Sequence, residues 1–264
     1  MIAGLHYEEH GRLDGPPLIL SSGLGGSANY WAANLELLAE RFRIILYDHR
    51  GTGRSDRALS TDLTVEDMAE DVVALMDGLG IERGHLIGHA AGGVMGLTLA
   101  LQAPKRLCSL IVVNVWSALD PHFVRCFETR LALLRNSGVR AYLRAQPIFL
   151  YPAPWISEHC EELDRELELQ LAAFSASSVE ARVAALQAFD IDDRLSELDI
   201  PILAIAAKDD MLVPWTCSRA LVERTPGATL ELMDSGAHAC NVTEPACFNQ
   251  IVSYWLTVAP AKGA

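Results

Sequence analysis

The sequence predicts an α/β fold, a doubly wound and mostly parallel sheet carrying an inserted helical cap. Two observations carry the prediction. Short apolar, partly β-branched runs alternate with segments of helical spacing along most of the chain, as in sheets whose strands are joined by crossover helices. Between residues 115 and 190 that alternation stops, and helical segments follow one another without a strand of comparable apolar content. Since α/β folds commonly fill about 250 residues as one unit, the 264 residues are expected to form one core from 1–114 and 191–264, with the cap at 115–190.

The elements follow in order. Pro17 to Ser21 and Arg43 to Tyr47 are short apolar strands, and Trp31 to Arg41 between them places Leu35, Leu37 and Leu38 at helical spacing. Thr64, with Asp67 three residues on, reads as the N-cap of a helix that runs through Val72, Leu75, Met76 and Leu79 and stops at Gly80. A strand at Gly84 to Gly88 leads into a helix from Ala91 to Ala103, ended by Pro104. Leu107 to Asn114 is continuously apolar until its last residue, as suits a parallel strand covered on both faces. In the cap, Phe123 to Leu134, Glu161 to Phe174 and Val179 to Phe189 read as helices. Beyond it come a strand from Pro201 to Ala207, a helix from Trp215 to Glu223, a strand from Thr229 to Met233 and a helix from Pro245 to Val258.

Composition narrows the function. Half of the residues are apolar, which excludes disorder, and a net charge of −13 leaves no excess of Lys and Arg for a nucleic-acid backbone or an anionic membrane surface. The N-terminus has no basic segment followed by an apolar one, and no apolar stretch of about 18 residues occurs, so a cytoplasmic location is expected. Six scattered cysteines without a C-x-x-C pair suggest neither a disulfide framework nor a zinc knuckle. The histidines lack ligand spacing, and no metal or other cofactor is expected. The expected partner is a small-molecule substrate, and a homodimer is the one assembly considered.

Gly88-His-Ala-Ala-Gly92 lies between a strand and a helix, the context of a G-x-S-x-G nucleophile elbow, but Ala90 stands where the serine would be. Taken alone, the stretch could be a plain glycine-rich turn. Three further features argue against that. Ser22-Gly-Leu-Gly-Gly-Ser27 follows the first core strand, where backbone N–H groups could face an oxyanion. Asp210 follows the strand ending near Ala207, and His238 lies in a loop of small residues after the last strand. The order elbow, Asp, His, each after a strand, is that of the α/β-hydrolase triad. Asp48 to Asp56 matches the D-x-R-G-x-G-x-S turn of such proteins and reads as scaffold, since glycines and a charged turn explain it. Cys240, near His238, and Cys217 are conceivable thiolates, but neither occupies the elbow, and cysteine commonly serves as an inert small apolar residue.

The chain therefore resembles the α/β-hydrolase fold family over nearly its whole length. Narrower features resemble the RutD family of pyrimidine degradation: Ser22 to Ser27 with Tyr30-Trp31, the elbow, Arg125-Cys-Phe127 with Arg130, Gln146 to Pro152 with Trp155, and Gly236 to Thr243. That resemblance implies alanine at the elbow as a family trait. It also implies hydrolysis of a small C–N product of uracil ring opening, either carbamate or 3-aminoacrylate.

Neither reaction requires an acyl-enzyme. Both need an acid/base group, for which His238 oriented by Asp210 is the candidate, and an anion site, for which the backbone N–H groups of Leu24 and Ala91 are candidates. A buried substrate carboxylate also needs a cation or further donors. Arg125 and Arg130 are the candidates, although for either one alone a solvated charge on a cap helix is the commoner reading. Trp116, Tyr151 and Trp155 either line the pocket or pack cap against core. The competing class is a noncatalytic ligand-binding or scaffolding descendant of the fold, which would need neither Asp210 nor His238. A lyase or cofactor-free oxygenase on the same scaffold is the third reading.

Overall fold

A computed structural model describes residues 1–258. Its sheet has seven strands in the order β1-β3-β2-β4-β5-β6-β7. They are β1 (Tyr7–Gly11), β2 (Pro17–Ser21), β3 (Arg43–Tyr47), β4 (Gly84–His89), β5 (Leu107–Val113), β6 (Ile202–Ala207) and β7 (Thr229–Met233). All pairings are parallel except β1 with β3. The strand β1, YEEHG, has no apolar alternation to announce it. It is an edge strand whose charged residues suit a sheet margin that must not recruit a neighbour.

Successive strand residues point to opposite faces, and both faces are covered. Ile19, Ile45, Leu86, Leu110 and Val112 meet helices α2 (Val65–Gly78) and α3 (Ala91–Gln102) and Leu221 of α8 (Trp215–Arg224). Leu18, Leu20, Ile44, Ile87, Ile111 and Ile205 meet Leu38 of α1 (Ala32–Ala39) and Phe248 and Val252 of the last described helix, Pro245–Val258. Coverage on both sides is why these strands read as unbroken apolar runs. The predicted helix from Trp31 begins instead with a 3₁₀ turn, Ala28–Trp31, because Ser27 caps the chain earlier by accepting from Asn29 N.

Between β5 and β6 the chain forms α4 (Pro121–Leu150), α5 (Ala153–Glu158), α6 (Cys160–Ala173) and α7 (Ala176–Ala188). The first exceeds the expected Phe123 to Leu134. Its two halves meet at Gly138, whose φ of 83° no helix interior adopts, and Pro147 lies in the second half. Those two residues are helix breakers in a sequence reading, which is why residues 139–150 and the short α5 escaped it. Phe123, Phe127, Leu131, Val183 and Leu186 join the same apolar cluster as Ala90 and Trp116, so the cap sits directly on the elbow. Among the described residues, no helix is long and apolar enough to cross a membrane.

The start of α2 is a complete capping box: Asp67 N donates to Thr64 Oγ1 at 3.1 Å, and Thr64 N donates to Asp67 Oδ2 at 2.8 Å. Thr64→Ala is therefore expected to cost about 1 kcal/mol in urea unfolding with an unchanged m-value. A loss of no more than about 0.2 kcal/mol would mean that the box contributes nothing to the fold.

Candidate active site

The chain leaves β4 at His89 and enters α3 at Ala91, so one residue makes the whole turn. Ala90 does this at φ 46° and ψ −109°. For an L-residue that conformation costs on the order of 1–3 kcal/mol and persists only where the surroundings impose it. Ala90 N donates to Val113 O at 2.9 Å. Glycines on either side permit the contact of helix with sheet: a Cβ on Gly88 would lie 2.3 Å from Gly92 O, and one on Gly92 would lie 2.3 Å from Ser21 O. The elbow is thus fully built, with a methyl group in place of a nucleophile.

Asp210, past the end of β6, and His238, past β7, meet beside it. His238 Nδ1 and Asp210 Oδ2 are 2.7 Å apart, both side chains buried. The other carboxylate oxygen accepts from Leu212 N at 2.7 Å and Val213 N at 3.0 Å. A carboxylate acceptor places the proton on Nδ1, leaving Nε2 as the ring's working atom. The His238 carbonyl is held as firmly as the ring, accepting from His89 Nε2 at 2.8 Å and Asn114 Nδ2 at 2.7 Å. Asn114 Oδ1 in turn accepts from Ala207 N at 3.0 Å, so this side chain ties β6 to the histidine loop. Asp209 steadies the same loop by accepting from Gly236 N at 3.2 Å and Ala237 N at 2.8 Å.

The loop after β2 lies against the elbow, since a Cβ on Gly23 would be 3.7 Å from Ala90 Cβ and 2.9 Å from His89 Nδ1. Among the described residues, neither Leu24 N nor Ala91 N donates to a protein acceptor. These are the two N–H groups that the sequence offers for an oxyanion or a carboxylate oxygen.

Comparison with known proteins gives the same assignment. The alpha/beta hydrolase fold family matches residues 16–245. "Putative carbamate hydrolase RutD" of Caulobacter sp. (strain K31) is 50% identical over 259 residues, covering 97% of each chain. The protein of the same name from Agrobacterium fabrum is 49% identical, covering 93% of this chain and 95% of its own. A hydrolase from Pseudomonas aeruginosa PA01 superposes with a TM-score of 0.86 at 28% identity, covering 96% of this chain and 94% of that one. The chain belongs to the α/β hydrolase fold family. Its similarity to RutD-named relatives over nearly the full length supports a hydrolase role.

Within this α/β hydrolase the other predicted residues fare differently. Arg125 is exposed on α4, the helix that buries Phe123 and Phe127, and among the described residues no hydrogen bond, ion pair or ring contact joins it to the Asp210–His238 pair. Arg130 is buried but engaged inside the cap, donating to Gln146 Oε1 at 2.5 Å and Tyr142 Oη at 3.3 Å, with its guanidinium over the Phe127, Tyr142 and Phe149 rings. Trp116 is buried against Phe123 at 4.3 Å between ring centroids. Tyr151 packs tilted against Trp155 at 4.4 Å between ring centroids, and the preceding Leu150 carbonyl accepts from Ala239 N at 2.9 Å, so this end of the cap is bonded to the histidine loop.

The cysteine alternative fails on electrostatics. Burial pushes the Cys217 thiol up to about 12, and burial together with the Asp210 charge raises Cys240 well above its usual range, opposite to what a thiolate nucleophile needs. Among the described residues no group of three or more His, Cys, Asp and Glu side chains gathers to hold a metal ion.

Sequence reading missed His89, Asn114 and Arg182. His89 lies inside the elbow motif, but its bond to a carbonyl far along the chain has no local signature. Arg182 did leave a trace, because it falls between Val179 and Val183 on the stripe of α7 that reaches the core.

With no nucleophile at position 90, the parent protein is expected to form no adduct with a serine-directed phosphonate and no burst of product from an activated ester; a stoichiometric burst would overturn this. Ala90→Ser is expected to gain weak esterase activity on p-nitrophenyl acetate. No gain in a folded variant would show that Leu24 and Ala91 do not form an oxyanion hole.

Proposed function

We propose that this α/β hydrolase acts on a small C–N product of uracil ring opening, carbamate or 3-aminoacrylate, by acid/base chemistry without a covalent intermediate. The observation that carries the reading is a buried Asp210–His238 pair, joined through Nδ1 with both carboxylate oxygens engaged, beside an elbow that holds only a methyl group. A binding module would have no use for a histidine whose tautomer is set so firmly. The name of the relatives, a carbamate hydrolase, supports the substrate class.

For carbamate, His238 delivers a proton to nitrogen. The C–N bond then breaks with its electron pair going to nitrogen, giving ammonia and carbon dioxide. For 3-aminoacrylate, protonation at the carbon next to the carboxylate yields an iminium. Water adds to that iminium with loss of a proton, and the carbinolamine releases ammonia to leave malonic semialdehyde. In both cases His238 alternates between imidazolium and imidazole, and the Asp210 carboxylate stabilises the charged form. Leu24 N–H and Ala91 N–H hold a carboxylate oxygen in the position where a serine hydrolase stabilises its oxyanion.

Ammonia release from each substrate, with and without protein, tests this. His238→Ala is expected to reduce the protein-dependent excess rate by roughly 10²- to 10⁴-fold, and Asp210→Asn to act in the same direction through the wrong tautomer. Full activity in both variants would overturn the mechanism. No excess rate from the parent protein on either substrate would favour the noncatalytic, ligand-binding reading.

A further inference from the structure

The cap carries an arginine that the catalytic chemistry above does not use. Arg182, on α7, is 1% exposed. It has no ion pair with any carboxylate among the described residues, and its Nε and Nη1 have no hydrogen-bond partner. Its remaining nitrogen, Nη2, donates to His49 Nδ1 at 2.5 Å and lies 3.4 Å from Gly23 O. The guanidinium therefore rests on the same Gly23–Gly26 loop that carries Leu24 N, and a Cβ on Gly26 would come within 2.5 Å of Nη1.

The immediate neighbours offer no negative charge. His49 accepts through Nδ1 and so carries its proton on Nε2, which is 3.2 Å from Ser21 Oγ; burial and the Arg182 charge hold this histidine neutral. Ser21 Oγ is 2.8 Å from Tyr47 Oη, a buried phenol whose ionisation is likewise suppressed by burial. Burial pulls Arg182 itself down to about 10, which still leaves it charged at neutral pH. Charges taken this far from water are ordinarily paired, because an unpaired one is strongly destabilising. Arg43, Arg50 and Arg54 each have a carboxylate, and the buried Arg130 donates to Gln146 and Tyr142 inside the cap, whereas two of the three Arg182 nitrogens have no partner.

We propose that Arg182 is the substrate-anion residue: its unpartnered guanidinium N–H groups, buried at the oxyanion loop, supply the charge and a donor for the carboxylate group of the small anionic substrate. This rests on the hydrolase reading for the identity of the substrate. It assigns the role that the sequence offered to Arg125 and Arg130 to a third residue. Carbamate and 3-aminoacrylate both present a carboxylate, so one cation serves either. A guanidinium that is charged at neutral pH and has N–H donors without partners suits that group.

The probe is acrylate, a stable three-carbon carboxylate without the amine, with acrylamide as its neutral counterpart. In the parent protein labelled with ¹⁵N, the Arg182 Nε–H resonance, assigned by its absence in Arg182→Lys, is expected to shift with acrylate and not with acrylamide. Titration calorimetry is expected to show acrylate binding weakened at least tenfold in Arg182→Gln, which keeps a donor for Gly23 O but removes the charge, and less in Arg182→Lys. An unshifted resonance, equal binding of the two probes by the parent, or undiminished acrylate binding by a folded Arg182→Gln would each overturn the proposal. The spectrum of the parent decides even if Arg182→Gln fails to fold. Acrylate binding through Arg182 without excess hydrolysis would leave the anion site standing and sink the hydrolase reading. Hydrolysis indifferent to Arg182→Gln would do the reverse.

Discussion

A positive φ at a single alanine is the constraint on which the site depends. Ala90 turns the chain from β4 into α3, and this requires Gly88 and Gly92 to lie against each other and against the Ser21 carbonyl with no room for a side chain. The same turn leaves Ala91 N at the start of a helix, without an acceptor and close to the loop that holds Leu24 N. A strained conformation with no reactive atom to present would be a pure loss if its only purpose were to expose a nucleophile. Its retention makes sense if the useful product of the turn is the pair of N–H groups it positions.

The second half of the site is assembled from strand ends. Loops after β5, β6 and β7 contribute Asn114, Asp210 and His238, and parallel pairing brings all three ends to one edge of the sheet. Asn114, itself at φ 49°, leaves β5 one residue before the strand run predicted from sequence would end, and its amide then bonds both the next strand and the histidine loop. The histidine is therefore fixed at its ring by Asp210 and at its carbonyl by Asn114 and His89. Such double fixing limits the reorganisation that accompanies a proton transfer.

How far this was legible in the sequence follows from how local each signal is. The parallel strands announced themselves because both faces are buried, and α2 did so through Thr64 and Asp67. Strand β1 did not, since an edge strand such as YEEHG is defined by its pairing with β3 rather than by its composition. The second half of α4 was hidden by Gly138 and Pro147. Asp210 and His238 were identifiable because each lies just past a strand, and order along the chain is enough to suggest their meeting. Asn114 and His89 could not be assigned roles, because their partners are backbone carbonyls set by tertiary structure. Choosing among the arginines depended on burial: Arg125 and Arg130 stood close to aromatic residues in sequence, whereas Arg182 stood among serines and alanines.

The balance of charge in the interior links the cap to the chemistry. Under the proposed reading the substrate is an anion that must be taken up beside the buried elbow, where a carboxylate without partners is strongly disfavoured. The acid/base pair contributes no net positive charge, because the Asp210 carboxylate cancels the charge of a protonated His238 and leaves the pair negative when the ring is neutral. The two backbone N–H groups supply only partial charges. A full positive charge is needed from elsewhere, and the protein interior holds one at Arg182, braced by neutral His49 on the core side and seated on the oxyanion loop. Because Arg182 belongs to the cap and its Nη2 reaches the loop, anion binding and the seating of the cap on the core are coupled through one side chain. At the opposite end the Leu150 carbonyl bonds the histidine loop. The cap is thus fastened to both halves of the site, at the anion-binding loop by a charge and at the acid/base loop by a backbone bond. A cap displaced from the core would therefore disturb substrate binding and proton transfer together.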